Sequence, residues 1–232
     1  RIERPALLNL TTSVLTGAAL GGARINRARD GSTRAARGLL DSMPDKDPAQ
    51  PGYYRFEQAI YERDYETALD WLDTTNDLIS EPIDEEILTT TLAECHCRML
   101  QGALRPPDEC EYARIHFERA RDASPGDAAI HGALGWTYAL LGRKEEAIEA
   151  GQRAVALLPI EEDAMAGQTH LERLAKIYAR VGEHELAIDT IEESLDHPGW
   201  LTAGMLRLDP DWDPLREHPR FIELVAPRIV AQ

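Results

Sequence analysis

Leu134, Gly135, Tyr138, Gly142 and Ala147 recur forty residues on as Leu174, Ala175, Tyr178, Gly182 and Ala187. Self-similarity at a fixed period marks a repeat architecture, in which each unit buries its apolar face only by stacking on the next. Ala154 and Pro159 complete the first copy of the ladder. Apolar residues at helical spacing, interrupted by Gly or Pro, run through the whole chain, and no convincing alternating strand segment is present. An all-α chain of helix hairpins is the fold these constraints leave.

Composition narrows the function classes. With 43% hydrophobic residues the chain can bury a sizeable core, and its net charge of −16 argues against nucleic acid, which needs an electropositive footprint. The charge is uneven. Residues 1–38 hold Arg1, Arg4, Arg24, Arg27, Arg29, Arg34 and Arg37 against Glu3 and Asp30, a basic arm on an acidic body. The stretch from Ala6 to Ala23 sits at the short limit of a membrane span and is too polar for one. Cys95, Cys97 and Cys110 form no CxxC pair, and their odd number points to a reducing, cytoplasmic setting. The chain starts at Arg1 without Met, as expected of a sequence cut from a longer polypeptide or of one that has lost its start.

Three regions follow from the pattern. Residues 1–47 form an N-terminal helical pair, a degenerate repeat or cap, with helices near residues 5–20 and 33–42. Residues 48–198 hold hairpins at about Gly52–Ser80, Asp84–Ser124, 127–159 and 164–198. The second of these has a long turn, Gln101 to Asp108, that carries Pro106-Pro107 and is expected to bulge as an extended loop. Residues 199–232 break the ladder and supply Trp212, Leu215, Phe221 and Leu224 to cover the last apolar face, which a repeat stack needs at its end.

The ladder resembles the tetratricopeptide repeat (TPR), a helix-turn-helix unit of about 34 residues with small residues where its helices cross. The stretch Leu206–Leu224, following LGRKEEAI and IYARVGEHELAI, is similar to the C-terminal TPR region of bacterial multidomain regulators that carry an adenylate-cyclase, kinase or winged-helix domain upstream. The resemblance implies a right-handed superhelical solenoid of antiparallel hairpins with a C-terminal capping helix. It also implies a non-catalytic module that binds a peptide or protein segment in a concave groove, and an upstream effector domain of the same polypeptide is one candidate partner. Self-assembly through the basic arm is a second reading, with a homo-oligomer as its product. Sensing of a signalling peptide or small molecule is a third.

In a TPR stack the first helix of each hairpin lines the groove. Helical spacing then selects Tyr53, Tyr54, Glu57 and Tyr61; Thr90, Glu94 and Arg98; Trp136 and Leu140; and Arg173, Lys176 and Arg180. One end of the groove is expected to be aromatic and the other basic. Arg173, Lys176 and Arg180 make one cationic stripe, suited to a carboxylate-rich segment. Intrinsic chemistry is not expected, and neither is a metal or cofactor. The Cys95-His96-Cys97 triplet cannot converge on one ion along a helix, and His96 reads as a packing residue on the rung of Tyr138 and Tyr178. His184-Glu185 lacks the second histidine of HExxH, and Gly21-Gly22 ends a helix with no phosphate-loop lysine after it.

Overall fold

The computed structural model describes residues 32–42, 51–74, 89–197, 199 and 201–226. The helix expected near residues 5–20 and most of the basic arm lie outside the described residues. Helix α1 (Thr33–Asp41) packs on the first hairpin with Ala36 and Leu40 buried. Four hairpins follow: α2 (Pro51–Tyr61) with α3 (Tyr65–Thr74), α4 (Thr90–Leu100) with α5 (Asp108–Ala123), α6 (Ala128–Leu140) with α7 (Lys144–Leu157), and α8 (Ala164–Arg180) with α9 (His184–Leu195). Each hairpin rests on the next through α3 on α4, α5 on α6 and α7 on α8, while α6 also touches α4 and α8. No strand occurs among the described residues.

All four hairpin turns are built alike. One residue after each first helix takes a left-handed conformation: Arg63 (φ 60°), Gly102 (φ 87°), Gly142 (φ 74°) and Gly182 (φ 84°). The N–H of the following residue reaches back five positions, as Asp64 to Ala59 O, Ala103 to Arg98 O, Arg143 to Tyr138 O and Glu183 to Tyr178 O. These bonds satisfy helix-end carbonyls and reverse the chain, and glycine adopts the required φ without a Cβ penalty. Asp127 and Asp163 start the first helices of the third and fourth hairpins by accepting the N–H groups of Ala129 and Ile130, and of Met165 and Ala166.

The period-forty ladder reports where helices meet. A Cβ placed on Gly135 would lie 2.9 Å from Gly151 N and 3.1 Å from Ala147 O, so α6 and α7 cross with their backbones in contact. Tyr138 donates to Glu118 on α5, and the equivalent Tyr178 accepts from Gln152 on α7, so each tyrosine ties its hairpin to the second helix of the one before. Every residue of α6 is buried, as expected of a helix that is apolar all round.

Two sequence expectations need correction. Cys95 and Cys110 are joined in a disulfide, and only Cys97 remains a thiol. Measured from the shared turn, Cys95 stands where Gly135 and Ala175 stand, at the helix crossing, which brings its side chain close to α5. Spacing along the sequence gave no sign of that proximity. A bond of this kind persists in oxidising surroundings, so the cysteine pattern gives no argument for a reducing compartment. The same register puts Arg98, not His96, on the rung of Tyr138 and Tyr178.

After the last hairpin come α10 (Ala203–Leu208), a 3-10 turn (Pro210–Leu215) and α11 (Pro219–Val225). Leu206, Trp212, Leu215 and Phe221 join Leu174, Ile188 and Ile191 in one buried cluster, with Leu224 at its edge. Burying each such side chain stabilises the packing by about 1.5–3 kcal/mol. The tail is thereby held firmly against α8 and α9. No helix among the described residues is long and apolar enough to cross a membrane.

Candidate functional site

The turn register sorts the first helices into rows. Tyr54, Ala93, Ala133 and Arg173 are equivalent, as are Glu57, His96, Trp136 and Lys176, and Tyr61, Leu100, Leu140 and Arg180. These rows hold most of the groove residues selected from the sequence. Glu94 and Arg98 do not belong to them: they stand in register with Leu134 and Tyr138, and Arg98 binds Glu94 at 2.6 Å on its own helix. Thr90 opens α4. The side chain of Tyr53 lies outside the described set.

A short acidic stretch of the chain itself lies along the middle row. Asp211 accepts from His96 Nε2 at 2.6 Å, and its second oxygen is 3.6 Å from Lys176 Nζ. Asp209 meets the same ammonium at 2.8 Å, with Glu172 on its other side at 3.2 Å. Asp213 takes two bonds from Arg63, at 2.6 and 2.8 Å. Three carboxylates within five residues thus engage the first, second and fourth hairpins. Between them Trp212 is fully buried, with Lys176 Nζ 5.7 Å from its ring centre.

The rest of the row supports this contact. Trp136, only 2% exposed, presents its ring to the edge of His96 at 5.2 Å and to the guanidinium of Arg173 at 5.8 Å. Leu140 is equally buried, in the core shared by the second and third hairpins. Tyr54 and Tyr61 are half-buried on α2, where Tyr61 donates to Glu57 at 3.1 Å. Arg180 is half-buried beside Asp211, and among the described residues no hydrogen bond or ion pair engages it.

Electrostatics sets the character of the site. Burial would raise the Asp211 carboxyl, but His96, Lys176 and Arg173 outweigh it and hold that carboxyl below the usual range. Burial likewise works against the charge on Lys176, yet Asp209, Glu172 and Asp211 keep its ammonium well above the ordinary value. Asp209, more deeply buried, is pushed up by desolvation that Lys176 only partly offsets. Arg180 is lowered by burial, which Asp211 opposes without direct contact. The site favours carboxylates, and no group of three or more His, Cys, Asp or Glu among the described residues is placed to hold a metal.

Reasoning from the sequence missed five participants. His96 read as a packing residue, Arg63 fell in the turn of the first hairpin, and Asp209, Asp211 and Asp213 fell inside the covering segment. Their signal was the alternation Asp209-Pro210-Asp211-Trp212-Asp213, three carboxylates around one aromatic in a chain whose first helices carry few cations. Aligning the hairpins on their turns would have placed His96 with Lys176.

With the hairpins and rows in view, comparison with known families is specific to one unit. Residues 128–159 match the tetratricopeptide repeat. They comprise α6, α7 and their shared turn, and the match supports a tetratricopeptide-repeat protein. No curated protein matches the chain. Tetratricopeptide repeats generally mediate protein–protein interaction and are generally not catalytic.

Proposed function

We propose that this chain is a non-catalytic interaction module that binds a carboxylate-bearing protein or peptide segment along the inner face of its first helices. The observation that carries the reading is the grip of that face on Asp209, Asp211 and Asp213, which displays the ligand chemistry its cations accept. Arg180 extends the same chemistry. A half-desolvated guanidinium that no carboxylate among the described residues engages gains a charge-assisted hydrogen bond when a segment supplies one. The rows Tyr54–Arg173, Glu57–Lys176 and Tyr61–Arg180 define the face, which the hairpins carry as a right-handed stack over residues 48–198. The segment that follows the last hairpin acts as its cap, and α1 packs on the first hairpin. A regulatory role within a larger signalling protein fits such a module.

A panel of labelled decapeptides, acidic, acidic with one tryptophan, and basic, tests the reading by fluorescence anisotropy. Acidic members should bind, and Arg180→Gln should weaken them at least about tenfold, the value of one charge-assisted bond. Arg153→Gln, exposed on α7, should change nothing. Affinities insensitive to Arg180, or a preference for basic peptides, would remove the inner face as the binding surface.

A further inference from the structure

The stretch that fills the inner face is built differently from the hairpins it touches. Its backbone hydrogen bonds are all local: Asp211 N–H goes to Asp209 Oδ1, Trp212 N–H to Asp209 O, Arg216 N–H to Asp213 O and His218 N–H to Leu215 O. Arg216 Nη2 also binds Asp209 O, and Arg207 reaches Val225 O, again within the tail. Among the described residues, side chains alone bond the stretch and its sequel to the hairpins, namely Asp209, Asp211 and Asp213 inside and His218 and Arg220 on α9 outside. Lifting the 3-10 turn off the face therefore breaks no backbone ladder. It exposes Trp212 and Leu215, takes the carboxylate from His96 and leaves Lys176 with Glu172 alone, so the face stays filled unless a segment of like chemistry replaces what is lost.

We propose that Asp209–Asp213 is an exchangeable intramolecular ligand, and that the partner of this face presents the same chemistry, a tryptophan or similar aromatic flanked by carboxylates, and takes its place. The inference rests on the function proposed above and identifies the class of partner. Charge complementarity selects that partner: His96 and Arg63 each hold one carboxylate, Lys176 holds two beyond its own Glu172, and the space that Trp212 fills beside Lys176 takes a large aromatic ring. A competitor that supplies both, with an apolar side chain in place of Leu215, reburies the same surfaces and then competes against the advantage that tethering gives the chain's own stretch, an effective concentration of about millimolar for a short connection. The inner face is then closed by default and opens to a partner whose local concentration overcomes that tether.

Hydrogen exchange on the unmodified protein decides whether the turn detaches. The amides of Asp211, Trp212, Asp213, Leu215 and Arg216 should exchange about a hundredfold or more faster than those in the middle of α8, because they open without global unfolding. Equal rates would overturn the proposal, since the turn would then leave the face only when the hairpins unfold. A second measurement titrates a fluorescent peptide of residues 206–215 into the protein and into its Asp211→Asn variant. The loosened variant should bind it at least about tenfold more tightly, and the gain should vanish when both flanking aspartates of the peptide are changed to asparagine. Equal or undetectable binding by both proteins up to millimolar peptide overturns the proposal even if the turn exchanges quickly. If the turn exchanges and the peptide binds, but no member of the decapeptide panel depends on Arg180, the exchange stands and the wider functional reading falls.

Discussion

Arg63 is the one non-glycine among the four left-handed turn residues, and its side chain explains the exception. A left-handed φ costs a residue with a Cβ about 1 kcal/mol, which glycine escapes at positions 102, 142 and 182. In exchange, the guanidinium of Arg63 meets both oxygens of Asp213 across the molecule. Both side chains are 44% exposed, so this pair contributes no more than about 0.5–1 kcal/mol. The two effects nearly cancel, which yields a prediction. Arg63→Ala keeps the strain, loses the pair and should lower stability to urea by about 0.5–1 kcal/mol. Arg63→Gly loses the pair but sheds the strain, and should match the parent protein or exceed it slightly. Equal urea midpoints for the two variants would show that the backbone at residue 63 is unstrained.

At the scale of helices, the second hairpin departs most from its neighbours. Its turn is longer, Leu104 within it is fully exposed, and Cys95–Cys110 ties α4 to α5 with both sulfurs buried. The cross-link spans 15 residues, and closing a loop of that size stabilises a fold by about 3 kcal/mol in the chain-entropy account. The double variant Cys95→Ala, Cys110→Ala should therefore unfold at markedly lower urea, and a reductant should lower the melting temperature of the parent but not of the variant. Cys97 provides an internal control. Burial pushes its thiol up to about 12, and it donates to Tyr65 O at 3.3 Å, so thiol reagents should find nothing in the native protein and one thiol after unfolding without reductant. Three thiols under those conditions would mean the bond is absent. Helix positions were legible in the sequence because Gly142 and Gly182 punctuate it and Leu134–Tyr138 repeats as Leu174–Tyr178. The cysteine pairing was not legible, because it depends on which face of α4 turns towards α5, and the longer turn displaced the second hairpin from the register of the others.

Across the whole molecule, hairpins of a repeat protein ordinarily meet only their sequence neighbours. Here Asp209–Asp213 adds contacts that join the second and fourth hairpins through buried charges and the first through a half-exposed pair. Pairings between residues 115 and 150 positions apart leave no periodic trace. The sequence therefore displayed the cationic stripe and a suitable carboxylate-rich segment without showing that they meet. Lys176 is the centre of the set, with three carboxylates around one ammonium that is nearly withdrawn from water. Replacing one member of a buried ion pair leaves its partner charged and unsolvated, typically at a cost of about 3–5 kcal/mol. Lys176→Met should thus be among the most damaging single changes in the protein. Lys144→Met, whose ammonium meets Glu183 at a half-exposed site, should cost less than about 1 kcal/mol. Adding Asp209→Asn to Lys176→Met should recover part of the loss, because the carboxyl that burial already raises no longer has to stay ionised. Urea unfolding of the three variants checks this ordering, and additive losses in the double variant would show that Asp209 and Lys176 act separately and that the charges do not couple the tail to the hairpins.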